Sequence, residues 1–89
     1  MKLKDGIIIS EVNGEFVAVP SGAVSRDFSG MIRMNATAAM IAELLKSGKD
    51  EQGIVEALCE QYDVDPTIAR EDYLAVTEQL DKLGLIEHE

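Results

Sequence analysis

Two side chains in the sequence are of types that could serve as a general base or a nucleophile. His88 is the single histidine and Cys59 the single cysteine of the 89-residue chain. His88 lies between two glutamates at the C-terminus, where we expect a chain end rather than a catalytic base. Cys59 falls on the apolar stripe of a predicted helix with no histidine close in sequence, whereas a nucleophilic cysteine needs an exposed, electropositive setting. The sequence therefore predicts no catalytic residue.

The acidic run Asp63-Val64-Asp65 begins like a calcium-binding loop. It lacks the third acid, the glycine and the distal glutamate that such a loop needs. Asp65 is followed by Pro66, and an acidic residue before proline is typical of a helix start. We therefore interpret these residues as a helix cap, and we predict neither a metal site nor a bound cofactor.

The length and composition favour a binding role over catalysis. With 89 residues and an apolar fraction of 46%, the chain can form one small domain over 1–89, with its core at about 6–87. A domain of this size has little room for a deep catalytic cleft. One cysteine excludes an internal disulfide, no apolar run reaches the length of a membrane span, and the N-terminus lacks the apolar segment of a secretory signal. We predict a cytoplasmic protein that is not an enzyme and has no membrane partner.

The first half of the sequence predicts antiparallel strands. Ile7 to Val12 and Glu15 to Pro20 are rich in β-branched residues, and Asn13-Gly14 between them is a strong signal for a type I′ hairpin turn. Both faces of this hairpin are partly apolar, so the sequence leaves open which face the helices cover.

A polar loop is predicted over Ser21 to Gly30, with Val24 and Phe28 as its apolar anchors. A short third strand over Met31 to Met34 follows it. This strand has weak β propensity, so we expect pairing with the hairpin to hold it in place.

The second half predicts three helices, each with a recognisable start. Asparagine or aspartate precedes each apolar periodic segment, and glycine follows the first and third. The predicted helices run from about Ala36 to Ser47 after Asn35, from about Glu51 to Tyr62 after Asp50, and from Pro66 to Gly84 after Asp65. The predicted apolar stripes are Val55, Leu58, Cys59 and Tyr62 on the second helix and Ala69, Tyr73, Val76, Leu80 and Leu83 on the third. Three strands followed by three helices indicate an α+β fold of the winged helix-turn-helix type.

The charge distribution argues against nucleic acid, the usual partner of a winged helix. The net charge is −9, and residues 35–89 contain thirteen acidic and four basic residues. The third helix, which would enter the major groove, carries four acids against Arg70 and Lys82, so phosphates would be repelled. We predict no nucleic-acid partner and keep a DNA-binding regulator as the alternative function.

The third predicted strand leaves one edge of the sheet open. If Met31 to Met34 pairs with the hairpin on one side only, the N–H and C=O groups on its other side are unpaired. An extended peptide can add to such an edge as a further strand. On this hypothesis Ile32→Pro removes a donor from the peptide edge. Two alternatives stay open, in which the preceding loop covers the edge or a second copy of the chain pairs with it as a homodimer.

The helical wall of the peptide groove is predicted on the third helix. We place it on the flank that carries Tyr73 and Thr77, where Arg70 is available to an acidic residue of the peptide. The opposite flank, with Ile68, Asp72 and Gln79, is the alternative. The predicted peptide-binding residues are Met31, Ile32, Arg33 and Met34 on the strand and Arg70, Tyr73, Thr77 and Leu80 on the helix.

Several segments resemble those of the PqqD-like peptide-recognition domains. They are the strand "GEFV", the third strand ending in "MN", the segments "ATAAMIAELLKSGKD" and "IVEALCEQYDVDP", and the closing "LDKLGLIE". The likeness extends from about Gly6 to Glu87, which is nearly the whole chain.

The resemblance implies a winged helix-turn-helix that binds the leader of a ribosomally made, post-translationally modified precursor peptide between the third strand and the third helix. It also implies a peptide chaperone that presents this leader to a maturation enzyme, often a radical S-adenosylmethionine (radical SAM) enzyme, as in pyrroloquinoline quinone biosynthesis. Carried over by position, Met31 to Met34 is the pairing strand and Tyr73, Thr77 and Leu80 form the wall. Which precursor peptide and pathway are involved stays open.

Overall fold

The computed structural model describes residues 1–22 and 30–88. Its elements are β1 (Lys2–Leu3), β2 (Ile7–Val12), β3 (Glu15–Pro20), β4 (Ile32–Met34), α1 (Ala36–Lys46), α2 (Glu51–Tyr62), α3 (Pro66–Lys82) and β5 (Ile86–Glu87). The predicted loop anchors Val24 and Phe28 lie outside the described residues. The architecture is α+β and winged-helix-like, with antiparallel strands followed by three helices, which confirms the predicted fold class.

The β2–β3 hairpin forms around the predicted turn. Asn13 and Gly14 have φ angles of 53° and 83°, and a type I′ turn requires positive φ at both central residues. Val12 pairs with Glu15, and the ladder continues without a bulge to the far end of both strands. The Asn-Gly pair therefore sets the register of the whole hairpin.

The three-stranded sheet has the order β2-β3-β4 and packs one face against the helices. Ile9, Ala18 and Ile32 form one cross-strand row, and all three belong to the buried core or pack against it. On the other face, Ile8 is 46% exposed. Side chains alternate along a strand, so Ile32 points towards the helices and Arg33 points away from them. The helices therefore cover the face of the hairpin that carries Ile9 and Ala18.

Each helix begins at its predicted N-cap. The capping bonds run from Ala38 N–H to Asn35 Oδ1, from Gly53 N–H to Asp50 Oδ1 and from Thr67 N–H to Asp65 Oδ1, and each is 2.8 Å long. They satisfy N–H groups that have no acceptor within a helix. Gly48 and Gly84, with φ angles of 90° and 78°, follow the ends of α1 and α3, because glycine adopts positive φ without steric strain.

The buried stripe of α3 differs from the predicted one. Its fully buried residues are Ala69, Tyr73, Thr77 and Leu80, whereas Val76 is only half-buried. Thr77 can occupy a core position because its hydroxyl donates to the carbonyl oxygen of Tyr73 at 2.9 Å, within the helix. Val76 and Leu83 pack against the core from its edge, and the predicted stripe omitted Thr77, which lies inside it.

The stripe of α2 is also shifted from the predicted one. Ile54, Val55 and Leu58 are buried, but Tyr62 is 40% exposed. Tyr62 is the last residue of α2, and Asp63 after it adopts a left-handed conformation with φ 52°. The helix therefore ends before another element covers this aromatic ring.

A second, two-stranded sheet joins the two ends of the described chain. Leu3 pairs with Ile86 in the antiparallel β1–β5 ladder, and the N–H of Lys4 donates to Leu85 O at 2.9 Å. Leu3, Leu85 and Ile86 are all buried in the main core. Strands of two residues carry no periodic signal, so the sequence did not predict this sheet.

Tyr73 makes the stability of the fold sensitive to alkaline pH. Burial raises the pKa of its phenol, and the carboxylates of Glu51 and Asp50 raise this pKa further. Below about pH 10 the phenol is protonated in both the folded and the unfolded chain, so it adds no pH dependence. Above that pH the unfolded chain loses the proton first, and we expect the free energy of unfolding to fall as the pH rises.

The test is denaturant unfolding of the wild type and of Tyr73→Phe between about pH 8 and pH 11. The variant is expected to lose stability less steeply over this range, and an identical slope would contradict the assignment. Tyr62→Phe, at the exposed end of α2, is the matched control and should behave as the wild type does.

Candidate functional site

The hydrogen-bonding pattern of the hairpin decides which groups of β3 face β4. In a two-residue hairpin the pair beside the turn is hydrogen-bonded, and such pairs alternate with non-hydrogen-bonded pairs. Val12 and Glu15 are that first pair, so the N–H and C=O groups of Phe16 and Ala18 point away from β2. Pro20, which has no N–H, then falls at a non-hydrogen-bonded position of the β2–β3 ladder, in agreement with this assignment.

The same alternation identifies the outward groups of β4. Met34 pairs with Phe16 and Ile32 pairs with Ala18, so the backbone groups of Met34 and Ile32 are directed at β3. Arg33 lies between them and presents its N–H and C=O to the opposite side. Within the described residues β4 has no strand on that side, which leaves the Arg33 backbone at an open edge.

This register corrects the expectation for Ile32→Pro. The N–H of Ile32 faces β3 and belongs to the native ladder, so proline there would damage the sheet. Proline at Arg33 removes the outward donor while the native pairing stays intact. Arg33 is therefore the position that tests the open edge.

An apolar groove of about 300 Å³ separates β4 from α3. Its lining residues are Ile32, Arg33 and Met34 on the strand, Asn35 and Ala38 at the start of α1, and Ala75, Val76, Gln79, Leu80 and Leu83 on α3. Ala38 and Ala75 keep the two helices from filling the space with their own side chains. The open edge and the groove lie side by side, so a chain paired with Arg33 would direct alternate side chains into the groove.

The groove is lined by the flank of α3 that carries Gln79, which the sequence interpretation held as its alternative. Tyr73 and Thr77 are only 4% and 6% exposed and face the core, so they do not line this groove. Val76 and Gln79 lie about 100° or more around the helix from Thr77, on the side of β4. Of the three predicted wall residues, the structure brings only Leu80 to this groove, because Tyr73 and Thr77 are turned into the core.

Arg70 also lies away from the groove. It borders a separate depression between α2 and α3, together with Glu51, Glu56 and Glu60. Of the predicted strand residues, Met31 precedes β4 and is 67% exposed. Thus the predicted residues that meet at the groove are Ile32, Arg33, Met34 and Leu80.

The charges around the groove are exposed and sparse. Arg33 Nε lies 3.8 Å from Glu15 Oε2, with both side chains well exposed. Lys82 Nζ is paired with Glu78 Oε1 at 3.3 Å on α3. Exposed pairs of this kind contribute little to stability, and the groove is better suited to apolar side chains than to a highly charged ligand.

The residues with potential for catalysis lie apart from one another. Cys59 is half-buried on α2, and His88 Nε2 lies 2.9 Å from Asp81 Oδ1 beyond the end of α3. Within residues 1–22 and 30–88, no group of three or more His, Cys, Asp or Glu side chains is arranged to hold a metal ion. No helix in the described part of the chain has the length and apolarity needed to cross a membrane.

The fold and the groove define a small winged-helix-like domain with one open strand edge beside an apolar helix flank. The sequence profile of the PqqD family, described as coenzyme PQQ synthesis protein D, matches residues 15–86. The chain therefore belongs to the PqqD family. No curated protein is a significant match to it.

Two solved structures share this fold over nearly their whole length. The structure of TbiB1 in complex with the TbiA(beta) leader peptide is 25% identical, with a TM-score of 0.78, and the match covers 100% of this chain and 98% of that one. A lasso peptide synthetase B1 complexed with the leader peptide is 24% identical, with a TM-score of 0.73, and the match covers 94% and 93% of the two chains. At 24% identity, the match to the lasso peptide synthetase B1 is evidence for the fold only.

Sequence reasoning missed most of the helical wall of the groove. Val76 and Leu83 were assigned to the core, and Ala38 and Ala75 carry no signal by themselves. The signal that could have found them is the 4-4-3 spacing of Ala69, Tyr73, Thr77 and Leu80, which describes a better-centred stripe once threonine is allowed to be buried.

Proposed function

We propose that this protein binds the leader segment of a ribosomally made precursor peptide as an added strand on β4. The observation that carries the proposal is the open backbone edge at Arg33 beside the apolar groove of α3. Membership of the PqqD family and the likeness to TbiB1, whose structure contains a leader peptide, support it. On this proposal the protein is a peptide chaperone and performs no chemistry itself.

The short length of β4 makes the groove more important than the backbone edge. Within its three residues, only Arg33 presents outward groups, which gives two hydrogen bonds of about 0.5–1.5 kcal/mol each. Ordering each peptide residue costs about 1–2 kcal/mol, so these bonds alone would not hold a peptide. Two or three buried aliphatic side chains at about 1.5–3 kcal/mol each bring the affinity to roughly micromolar.

The alternation of a strand defines the pattern that the peptide should carry. The peptide residue opposite Arg33 has its side chain on the outer face, and the residues before and after it direct theirs into the groove. We therefore expect two apolar residues separated by one residue. An acidic residue between them would lie beside the Arg33 guanidinium, which takes the role that the sequence interpretation gave to Arg70.

The bound leader would be presented to a maturation enzyme. In line with the family resemblance, we propose a radical SAM enzyme as this partner. The proposal requires the enzyme to contact the protein–peptide complex on surfaces outside the groove, because the groove itself is occupied by the leader.

The test is a titration of ¹⁵N-labelled protein with the leader segment of a precursor peptide encoded beside its gene. We expect saturable amide shifts at Arg33 on β4 and at Ala75, Val76 and Gln79 on α3. A scrambled peptide of the same composition is the control and should leave these amides unchanged. Shifts confined to other surfaces, or no response to leader together with saturable binding of duplex DNA, would overturn the proposal.

A second copy of the chain is the competing occupant of the β4 edge. If the protein dimerises through this edge, the leader must displace the partner, since Arg33 can pair with only one strand. Sedimentation of the protein with and without leader distinguishes the cases. A dimer that persists with leader bound would place the interface elsewhere.

A further inference from the structure

Three depressions in the surface form a continuous path from the peptide groove to the other side of α1. The groove shares Arg33, Met34 and Asn35 with a shallow saddle beside the hairpin turn. The saddle in turn shares Phe16 and Ala36 with a third depression of about 590 Å³. We call the third one the distal depression, and its lining residues are Ile9, Phe16, Ala36, Ala39, Met40, Glu43, Gln61 and Tyr62.

The distal depression contains two of the three aromatic residues that the structure describes. Tyr62 is 40% exposed and Phe16 is half-buried, whereas the third, Tyr73, lies in the core. Met40 also lines the distal depression and can adapt its shape to a ligand. Aromatic side chains that line an accessible pocket are frequent binding hot spots, and this chain has few aromatics of any kind.

The distance between the two sites is short for an extended peptide. Phe16 and Met34 are direct cross-strand partners, which places their Cα atoms about 4.5–5.5 Å apart. Ala36 follows Met34 by two residues and borders both the saddle and the distal depression. A peptide paired with β4 would lie one strand spacing of about 4.8 Å outside it, and Phe16 lies one spacing inside it, so the crossing is at least about 10 Å. An extended chain advances about 3.3 Å per residue, so about three to five residues cross the saddle.

We propose that the distal depression binds a second anchor of the same peptide, one apolar side chain of about the size of leucine or phenylalanine. The anchor lies about three to five residues from the residue that pairs with Arg33, beyond the Met34 end of β4. If the peptide runs antiparallel to β4, the anchor is on its N-terminal side, and if it runs parallel, on its C-terminal side. This inference rests on the proposed function, because it assumes that a peptide pairs with β4.

Continuity of the surface favours this occupant over a separate partner protein. A peptide that leaves the groove at Met34 must cross the saddle or turn into solvent, and the saddle leads directly to the apolar surface around Phe16 and Tyr62. The polar side chains of the distal depression, Glu43 and Gln61, belong to exposed positions on α1 and α2. An apolar side chain of the peptide can therefore contact Phe16 and Met40 while Glu43 and Gln61 stay exposed to solvent.

The test compares five synthetic peptides derived from the leader. One contains the strand segment alone. Two add five residues with leucine at the expected anchor position, one at the N-terminus and one at the C-terminus, and two add five glycine and serine residues at the same ends. We expect the leucine extension at one end to bind about tenfold more tightly than the other four peptides, as burial of an apolar side chain would provide.

Tyr62→Ala identifies the place where the extension binds. This substitution is expected to remove the tenfold gain and to leave the affinity of the strand segment unchanged. Leu74→Ala is the matched control, since Leu74 is an exposed apolar residue of α3 outside both depressions. It should preserve the gain.

The outcomes separate this inference from the proposed function. If the strand segment binds and no leucine extension improves the affinity, or if Tyr62→Ala retains the gain, the second anchor is wrong and the groove proposal stands. If neither the strand segment nor any extended peptide binds, the proposed function itself is wrong.

Discussion

Val76→Glu is expected to abolish binding of the leader peptide to the groove between β4 and α3. Val76 is half-buried in the helical wall, so the new carboxylate would lie where an apolar side chain of the peptide packs. The complex with the variant loses the burial of that peptide side chain, which is worth about 1.5–3 kcal/mol. Binding would also have to desolvate the carboxylate of the new glutamate. We expect an affinity at least about a hundredfold lower, measured by calorimetry or fluorescence anisotropy.

Two further variants separate a blocked groove from a damaged fold. Ala75→Glu introduces the same carboxylate at an exposed groove position, where the helix tolerates it without loss of core packing. Leu74→Glu places it on α3 outside the groove, at a residue that is 52% exposed. We expect Ala75→Glu to weaken binding strongly and Leu74→Glu to bind as the wild type does. If all three variants bind equally while folded, the α3 flank is not the peptide wall.

Arg33→Pro is expected to weaken leader binding by about tenfold or more without unfolding the sheet. The ladder register directs the N–H of Arg33 to the open edge. Proline at this position removes the hydrogen bond from that N–H to the peptide, and the peptide carbonyl that accepted it is left without a partner. An unsatisfied group of this kind costs about 1–3 kcal/mol. Proline is compatible with an edge strand whose N–H does not enter the native ladder.

Arg33→Ala and Ile32→Pro are the matched controls for this prediction. Alanine removes the guanidinium but keeps the N–H, so we expect only a small loss that depends on an acidic residue in the peptide. Proline at position 32 breaks the native bond to Ala18, so we expect a loss of thermal stability as well as of binding. If Arg33→Pro binds as tightly as Arg33→Ala, the peptide does not add as a strand to β4.

The proposed second anchor gives the protein a way to select its peptide. A groove of about 300 Å³ beside a strand of three residues accepts many apolar sequences. A second apolar residue at a fixed separation adds a length requirement that scrambled or unrelated peptides rarely meet. Selectivity would then depend on the spacing between two weak sites, and each site would stay weak enough for the leader to be released after maturation.

Local signals in the sequence were sufficient for the β2–β3 hairpin and for the starts of the three helices. Asn13 and Gly14 determined the hairpin register because only a turn with two positive φ angles joins these strands. Asn35, Asp50 and Asp65 determined the helix starts because each side chain caps a free N–H. Such interactions involve residues within a few positions of one another, so they can be read without knowledge of the fold.

The sequence by itself determined the order of the three strands and three helices, the caps and the hairpin register, and it predicted an open edge at β4 only as one of three alternatives. Only the tertiary structure decided which flank of α3 faces that edge, that Arg33 and not Ile32 presents its backbone there, and that the ends of the chain pair as β1 and β5. The physical reason is that a rotation of α3 about its own axis leaves its helix propensities and its capping hydrogen bonds almost unchanged, so local signals do not specify which side faces the core. The rotation is set by long-range packing, in which the internally hydrogen-bonded Thr77 enters the core and Val76 turns towards the groove.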